Sequence, residues 1–306
     1  GVFGASIAKE NRGVMDNQGW ELTINYDLSH GDWKHRFSLN LADSKNEVVT
    51  YGTPNISSVD GVTAIIQEGL PLNSYYGYQV AGFFSDYNEI QTAAIPSTID
   101  RSQLRPGDVR YVDINNDGVI DTNDRTYLGY GFPRYTYGFS YNVSWKGLDL
   151  GIMLQGVLKR TAAIRGELVE PFHSNGYGMT MYEHQLDYWT PENTDARWPR
   201  LGVSGTASTT NNWGQPGSEL NMVSTAYLRV KNIQIGYTLP EKWTQKFGCK
   251  SLRIYLDAQN PLTFSKYGFF DPESSEFGSN MGKSGANSLR NYPTLRYWGG
   301  GINLTF

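Results

Sequence analysis

The stretch RYTYGFSYNVSWKGLDLGIMLQ (134–155) alternates apolar and polar residues in two runs that meet at Lys146 and Gly147. Alternation with period two is typical of β-strands that have one apolar face and one polar face. Two such runs on either side of a short glycine-containing segment predict an antiparallel pair joined by a tight turn. Each run is long enough to cross a bilayer as a tilted strand, which takes about nine to eleven residues, whereas strands of soluble proteins average about five or six.

Five further segments repeat the pattern, and aromatic residues lie near the ends of several of them, where a membrane interface would place them. The apolar positions of the seven segments are Trp20, Leu22, Ile24, Tyr26 and Leu28; Trp33, Phe37, Leu39 and Leu41; Tyr135, Tyr137, Phe139, Tyr141, Val143 and Trp145; Leu148, Leu150, Ile152 and Leu154; Ile233, Ile235, Tyr237 and Leu239; Leu252, Ile254, Leu256 and Ala258; and Trp298, Gly300, Ile302, Leu304 and Phe306. The apolar phase slips near Lys231 and Asn232, which indicates either a β-bulge or the point where that strand leaves the membrane.

The connections between these segments alternate in length. Short ones fall at 29–32, 145–147 and 240–250, and long ones at 43–133, 159–222 and 261–295. Outer-membrane barrels alternate in this way between short periplasmic turns and long extracellular loops. A soluble β-sandwich, which is the alternative fold, has no reason to follow this rule. The sequence therefore predicts an all-β, transmembrane antiparallel barrel whose three long connections are extracellular loops.

The composition agrees with an all-β chain and argues against several classes of function. Of the 306 residues, 14% are aromatic, 34 are glycine and 18% are charged, whereas a soluble enzyme usually carries more helix-forming residues. The net charge of −4 provides no basic stripe for nucleic acid, and no apolar run approaches the roughly eighteen residues of a membrane-spanning helix. The four histidines form no metal-ligand pair, and GVSG (202–205) lacks the setting of a nucleophile elbow. We therefore expect neither an enzyme nor a nucleic-acid-binding protein.

Several stretches, taken in order, resemble the SusC/RagA family of TonB-dependent outer-membrane transporters. They are NQGWE (17–21), GDVRYVDINNDGVIDTNDRTYLGYGFPRYTYGFS (107–140), WTPENTDARWPRL (189–201), AYLRVKNIQIGYTLP (226–240), SLRIYLDAQNPLTFSKYGFFDPE (251–273) and YPTLRYWGGGINLTF (292–306). Each stretch alone is weak evidence, but their common order along the chain is specific to the family.

The resemblance implies a barrel of about 22 strands around a plug, of which residues 1–306 would form roughly the last third. On this reading Gly1 is an interior residue of a longer protein, and the plug, the TonB-contacting segment and the earlier strands lie outside the chain. The resemblance further implies an integral protein of the outer membrane of a Gram-negative bacterium of the Bacteroidota. Such a protein would import oligomeric nutrients, either glycan fragments or peptides. A SusD-like surface lipoprotein would cap it, and TonB would energise it.

The segment DINNDGVIDTND (113–124) has the spacing of an EF-hand-type calcium loop, with Gly118 at the sharp turn. The oxygen ligands would be Asp113, Asn115, Asp117, Asp121, Asp124 and the carbonyl of Val119. Because the last ligand is Asp rather than the longer Glu, we expect modest affinity for Ca²⁺ and some tolerance of Mg²⁺. A structural Ca²⁺ that stiffens an extracellular loop is the favoured interpretation, and a hydrophilic Asx-rich turn is the alternative.

Aromatic residues of the long connections are candidate contacts for an oligosaccharide, a peptide or a partner protein. They are Tyr75, Tyr76, Tyr78, Trp189, Trp198, Trp213, Phe269 and Phe270. Packing within the loops explains the same residues more simply, and we favour it. On the polar faces of the strands, Arg253, Asp257 and Gln259 would either line a transport path or brace the plug.

The last segment carries a separate hypothesis. Trp298, Ile302, Leu304 and Phe306 share one strand face. The family resemblance implies that this aromatic strand is the signal read by the outer-membrane assembly machinery. A chance aromatic end on a soluble edge strand is the alternative.

Two other functions fit part of the sequence. A secreted, calcium-stabilised carbohydrate-binding module would account for the loop aromatics and the acidic loop, but not for the alternation of short and long connections. A porin without TonB coupling would account for the strands, and residues upstream of Gly1 would distinguish it from a coupled transporter.

Overall fold

A computed structural model describes residues 13–59, 62–172, 181–203, 205–214, 217–273, 286–287 and 292–306. Strands and helices are numbered here in chain order. The strands are β1 Val14–His30, β2 Trp33–Thr50, β3 Asn55–Val59, β4 Val62–Ile66, β5 Ser74–Tyr78, β6 Val80–Phe83, β7 Ile95–Pro96, β8 Val109–Tyr111, β9 Val119–Ile120, β10 Arg125–Gly129, β11 Arg134–Trp145, β12 Leu148–Lys159, β13 Thr161–Ile164, β14 Met222–Ser224, β15 Tyr227–Thr238, β16 Ser251–Ser265, β17 Ala286–Asn287 and β18 Tyr297–Thr305. The helices are α1 Tyr87–Thr92, α2 Ala207–Trp213 and α3 Glu241–Thr244, with single 3₁₀ turns at Arg101–Gln103, Thr122–Asp124, Gly166–Leu168, Glu183–Gln185, Glu219–Asn221 and Gln245–Phe247.

Seven strands form one antiparallel sheet, called here the main sheet, in the order β1-β2-β11-β12-β15-β16-β18. They are the seven alternating segments of the sequence, so the prediction of these strands is confirmed. Strand β2 continues to Thr50, which places the first eight residues of the connection expected at 43–133 in the sheet. Strands β1 and β18 lie at opposite edges and do not pair with each other. Within the described residues the sheet is therefore open, and no barrel closes.

The register of the main sheet keeps the predicted faces together. One row of directly opposed residues crosses all seven strands: Tyr26, Phe37, Tyr141, Ile152, Ile233, Ala258 and Trp298. A slip of one residue would move every side chain of a strand to the other face. Because the opposed residues of this row all come from the predicted apolar positions, a single apolar face extends across the sheet. The opposite face carries the polar residues of every strand.

Two of the short connections are tight hairpins. Lys146 and Gly147, between β11 and β12, both have left-handed φ angles of 46° and 89°. Successive left-handed residues are typical of the hairpin turn whose twist matches that of the strands. A Cβ atom at Gly147 would lie 2.5 Å from the carbonyl oxygen of Thr238, so this position excludes every larger residue. Residues 239–250 instead contain α3 and the 3₁₀ turn that follows it.

The slip of the apolar phase in β15 is a β-bulge. Val230 pairs with Leu262 and Asn232 with Gln259, so Lys231 has no opposite residue in β16. The register shifts at the same place on the other side of β15. Pro261 lies at the interruption in β16, where its missing N–H costs no ladder hydrogen bond. The first of the two explanations offered by the sequence is thus confirmed.

The long connections fold together. Their described residues in 51–133, 160–226 and 266–273, called here the loop body, contain the strands β3–β10, β13 and β14 and the helices α1 and α2. The largest core cluster of the loop body joins Tyr78 and Val109 from the first connection to Ile164 and Trp198 from the second, and Phe269 from the third packs against it. None of the helices in the described ranges is both long enough and apolar enough to cross a membrane.

Candidate functional site

The apolar face of the main sheet is exposed. On β1, five large apolar side chains are between 42% and 57% exposed: Trp20, Leu22, Ile24, Tyr26 and Leu28. Further examples on the other strands are Trp33, Ile235, Tyr237, Ile254, Leu256, Ile302 and Leu304. Covering one such side chain fully is worth about 1.5–3 kcal/mol. A contiguous apolar surface of this kind marks contact with lipid or with another protein.

The polar face carries a hydrogen-bonded row that crosses β12, β15 and β16. Arg253 donates from Nε to Oδ1 of Asp149 (2.9 Å) and from Nη2 to Oε1 of Gln234 (2.9 Å). Asn232 donates from Nδ2 to Oδ1 of Asp257 (2.7 Å). Gln234 also donates from Nε2 to Oδ1 of Asp257 (3.5 Å) and so links Arg253 to Asp257, two residues expected on a transport path or against a plug.

A polar groove of about 620 Å³ lies on the same face near the hairpin turns, lined in part by Asp27, Lys34, Arg36, Asn142 and Asp149. Arg36 Nε lies 2.8 Å from Oδ1 of Asp27, but both side chains are more than half exposed. Exposed ion pairs of this kind contribute little to stability, so the charges of the groove remain free to interact with another polar surface.

An ion cluster lies where β15 and β16 enter the loop body. The Arg229 guanidinium, which is 4% exposed, contacts Asp271 (Nη2 to Oδ1, 2.6 Å) and Glu273. Its Nε donates to Oγ1 of Thr263 (2.9 Å), and the Tyr227 hydroxyl donates to Oε1 of Glu273 (2.8 Å). The cluster therefore ties the third long connection to β15.

The carboxyl group of Asp271 is held in its charged form. Burial acts to raise the pKa of Asp271, but hydrogen bonds from Thr294, from the N–H of Glu273 and from Arg229 outweigh it and lower the pKa to about 2. The backbone N–H of Thr294 lies 2.8 Å from Oδ2. Asp271 is thus an anchor for the segment that precedes β18.

Four of the eight loop aromatics lie in the core of the loop body. Tyr75 and Tyr78 are each 5% exposed, Trp189 is 8% exposed and Trp198 is 1% exposed. The Trp198 indole N–H donates to the carbonyl oxygen of His184 (2.9 Å). These side chains have almost no surface left for a ligand, so the packing interpretation fits them.

The other four aromatics, Tyr76, Trp213, Phe269 and Phe270, are half-buried. Phe269 stacks on the His184 ring with the centroids 3.8 Å apart, and Phe269 and Phe270 both pack against the main cluster. Burial lowers the pKa of His184, although its Nε2 lies 2.8 Å from the carbonyl oxygen of Leu168. A ligand role for these residues stays a prediction.

The acidic loop is closed by its own backbone. Asp113 accepts hydrogen bonds from the N–H groups of Gly118 (2.8 Å) and Asp117 (3.3 Å). Asn115 accepts from the N–H of Asp117 (3.0 Å) and donates to its carboxylate (2.8 Å). Asp117 accepts from the N–H of Val119 (2.9 Å). These contacts are those of an Asx-rich turn, the alternative that the sequence left open.

The second half of the loop fits a metal less well. Asp121 caps the 3₁₀ turn at Thr122–Asp124 by accepting from the N–H of Asn123 (2.7 Å). Asp124 is fully buried, and its two oxygens accept from the N–H groups of Ile114 and Asp121 (2.8 Å each). Across the part of the chain that the structure describes, no group of three or more His, Cys, Asp or Glu side chains is arranged to hold a metal ion. Calcium binding stays a prediction that requires this half to rearrange.

The sequence did not reveal a buried polar network that fixes α2 to β8. Asp108 is fully buried and accepts from Arg200 Nε (3.0 Å), from Asn212 Nδ2 (3.1 Å) and from the Ser208 hydroxyl. Asn212 in turn accepts from the N–H of Val109 (2.8 Å). Asp108 and Arg200 both lie in stretches that resemble the family, but nothing in the spacing pairs residues so far apart.

The last strand keeps its apolar side chains outside. Trp298 is 75% exposed, Ile302 63%, Leu304 51% and Phe306 85%. Strand β18 pairs with β16 over nine residues, and its other edge has no strand beside it in the described ranges. The role of these residues in membrane assembly stays a prediction.

The relatives of the chain are receptors. TonB-dependent receptor P3 of Formosa agariphila is 28% identical over 320 residues, which cover 99% of this chain and 30% of that protein. The TonB-dependent receptor SusC of Bacteroides thetaiotaomicron is 25% identical over 278 residues, which cover 86% of this chain and 24% of that protein. The chain is a distant homologue of the TonB-dependent receptors. No family model matches it.

The homology confirms the expected resemblance to SusC-type receptors, and these relatives are transporters rather than enzymes. The chain spans about 30% of the length of the curated receptors that it matches along almost its whole length. The solved structure of the RagAB peptide transporter matches 97% of this chain and 30% of the transporter chain, with a TM-score of 0.66 and 24% identity. The fold of this chain is thus that of part of such a receptor.

Proposed function

We propose that this chain is part of the membrane-spanning barrel of an outer-membrane importer of oligomeric nutrients that is energised through TonB. The observation that carries the proposal is the single apolar face that runs across all seven strands and remains exposed. The hydrocarbon core of a bilayer is the solvent that such a face requires, and strands of nine to eighteen residues are long enough to cross it. Kinship with TonB-dependent receptors supports the energy source.

The proposal includes closure of the sheet into a barrel of about 22 strands around a plug. In lipid, each unpaired backbone group of an open edge costs several kcal/mol, so β1 and β18 need neighbouring strands. The polar face, with Arg253 and Asp257, then lines the lumen. The hairpin turns face the periplasm and the loop body faces outward, because short and long connections alternate in such barrels. In this setting β18, with Phe306, serves as the signal for outer-membrane assembly.

The proposed cargo is an oligomer, either a glycan fragment or a peptide, and the proposed partner is a SusD-like surface lipoprotein over the loop body. RagAB, which shares the fold, is a peptide transporter, whereas SusC is named only as a TonB-dependent receptor. A secreted carbohydrate-binding module is disfavoured, because it would leave the five large apolar side chains of β1 in water.

For the segment 113–124 we propose weak binding of Ca²⁺ outside the cell, with Mg²⁺ as a poorer substitute. The proposal is supported by the spacing of its oxygen ligands and by the side chains of Asp113, Asn115 and Asp117, which lie around one turn. The ion would stiffen the loop and would take no part in transport.

Cysteine labelling in the outer membrane tests the membrane orientation of β1. Single cysteines at Ile24 and Asn25 would be introduced into the full-length receptor with Cys249→Ser as background. We expect Ile24→Cys to react with a lipid-soluble maleimide and to resist a charged one. Asn25→Cys should show the reverse preference if the lumen holds water. Equal reaction of both positions with the charged reagent would overturn the proposal.

Uptake of defined substrates tests the cargo. Cells that lack the receptor gene should lose growth on one class of oligomer, glycan or peptide, and regain it with the gene restored. Growth should also require TonB. Growth of the deletion strain on every tested oligomer at the rate of the parent would contradict an import function.

A further inference from the structure

The third short connection, residues 239–250, concentrates positive charge at the turn end of the main sheet. Lys242, Lys246 and Lys250 are exposed, and Trp243 between the first two is 57% exposed. Glu241 is the one acidic residue of this connection. Lys242 lies in α3, and Lys246 lies four residues later in the 3₁₀ turn that follows.

Internal contacts hold this connection in shape. Thr244 is buried, and its hydroxyl donates to the carbonyl oxygens of Glu241 (3.2 Å) and Lys250 (3.4 Å). The N–H of Lys250 donates to the carbonyl oxygen of Thr305 in β18 (2.7 Å). The Glu241 carboxylate accepts from Gln245 Nε2 (2.9 Å), and among the described residues it forms no ion pair with the three lysines. These hydrogen bonds hold the backbone that carries the lysines in one conformation.

The neighbouring hairpin adds aromatic and basic groups to the same end. The N–H of Thr238, the last residue of β15, donates to the carbonyl oxygen of Gly147 (2.7 Å). The Lys146 ammonium lies 5.5 Å from the centre of the Trp145 ring, and Trp145 stacks on Trp33 at 5.3 Å. Oδ2 of Asp32 lies 3.3 Å from the Lys146 ammonium.

This combination suits the boundary between lipid and water. Tryptophan prefers the level of the headgroups because one part of its ring system is apolar and the other donates a hydrogen bond. A lysine near an anionic membrane surface contributes about 1 kcal/mol of attraction, which corresponds to about fivefold in binding. Flexible lysine stems reach outward to the headgroup level while the strands below them remain in hydrocarbon.

We propose that Lys242, Lys246, Lys250 and Trp243 form a binding site for the phosphate of an anionic glycerophospholipid in the leaflet at the turn end of the barrel. The inference rests on the proposed function, because it requires the main sheet to span a bilayer. The lysines bind the phosphodiester, and the Trp243 ring lies against the glycerol and the upper part of an acyl chain. The site fixes the depth of β15 and β16 at that leaflet.

The test compares variants of the full-length receptor in vesicles of phosphatidylcholine with and without phosphatidylglycerol. The first variant is K242Q/K246Q/K250Q, and the matched control is K45Q/K159Q/K266Q, which removes three lysines from the opposite end of the sheet. Phosphatidylglycerol retained after detergent extraction is counted by native mass spectrometry. The fluorescence of Trp243 is taken as the difference between wild type and Trp243→Phe. Quenching of this fluorescence by brominated phosphatidylglycerol reports direct contact between the lipid and Trp243.

We expect the first variant to retain phosphatidylglycerol at least fivefold more weakly than the control, with the difference shrinking at high salt because the attraction is screened. Both variants should insert as well as the wild type in phosphatidylcholine. Normal insertion with equal phosphatidylglycerol retention by the two variants would overturn the lipid site and leave the barrel intact. Failure of the wild-type receptor to insert in any vesicle would overturn the proposed function and the lipid site together.

Discussion

The main sheet and the loop body treat large apolar side chains in opposite ways. In the loop body, Phe84, Leu104 and Trp198 are each 1% exposed. In the main sheet, Ile24 and Tyr26 are about half exposed although they lie on the predicted apolar face. The loop body thus makes its own apolar interior, whereas the sheet depends on an apolar environment outside the chain. The two regions of the chain therefore cover apolar surface differently, one by packing within the chain and the other only by contact with its surroundings.

The two regions also differ in how polar groups are used. The loop body buries single polar anchors such as Asp108 and Asp271 and satisfies each with several donors. The main sheet spreads its polar side chains over a whole face, as in the row that includes Arg253 and Asp149. Replacement of one such residue should therefore strongly reduce the free energy of unfolding of the loop body. In the main sheet, the effect of a replacement on stability should depend on which face carries the residue.

The largest effect is expected at the centre of the loop body. Trp198→Ala in the full-length receptor should reduce the free energy of unfolding of the loop body by about 3–5 kcal/mol, because it opens a large cavity in a packed core. Hydrogen exchange in detergent micelles measures this as faster exchange in 160–226. The control is Leu186→Ala, at a side chain 61% exposed, which should change the value by less than about 0.5 kcal/mol. Equal acceleration in the β1–β2 hairpin would show that the two regions do not unfold separately.

Two neighbouring positions on β1 test the difference between the two faces of the sheet. Ile24→Arg places a charge on the apolar face and should cost about 2–4 kcal/mol in a bilayer. Asn25→Arg, one residue further along the strand, points to the polar face and should cost much less. Unfolding by denaturant from lipid vesicles provides both values. Similar costs at the two positions would mean that the sheet does not separate lipid from water.

A smaller effect is expected from pH at the junction of the two regions. The pKa of Asp271 is lowered from 3.8 to about 2, so its contacts stabilise the folded state above pH 4 and lose that contribution as the pH falls towards 2. The contribution is about 1–2 kcal/mol, measured as the difference in unfolding free energy between wild type and Asp271→Asn. That difference should shrink on acidification. A difference that stays constant from pH 6 to about 2.5 would contradict the ionic role of Asp271.

The smallest effect is expected from calcium. Titration of Ca²⁺ into the full-length receptor should give a dissociation constant of about 10⁻⁴–10⁻³ M, the range of weak extracellular sites. The Asp113→Asn and Asp117→Asn variants should bind more weakly, whereas Asp195→Asn, at an exposed position outside the loop, should not. Equal heats of binding for wild type and the double variant D113N/D117N in calorimetry would show that this loop does not bind calcium.

Much of the sheet could be predicted because strand pairing follows a local rule. The alternation around Ile24 and Ile152 specifies which face each side chain takes, and the tight turn at Lys146 and Gly147 aligns β11 with β12. The bulge at Lys231 was visible as a slip of the apolar phase. The loop aromatics were found but not their role, because a pattern of tyrosines and tryptophans is the same whether they bind a ligand or pack a core.

The seven strands, the two faces and the kinship with TonB-dependent receptors could all be predicted, because each depends on short-range periodicity or on the order of motifs along the chain. The folded chain alone shows that the long connections share one core and that Asp108 contacts Arg200, 92 residues further along the sequence. It also shows that Arg229 forms ion pairs with Asp271 and Glu273. Such contacts arise when the chain closes large loops to bury apolar surface. The partner that then satisfies a buried charge is chosen by geometry in three dimensions, which no local pattern encodes.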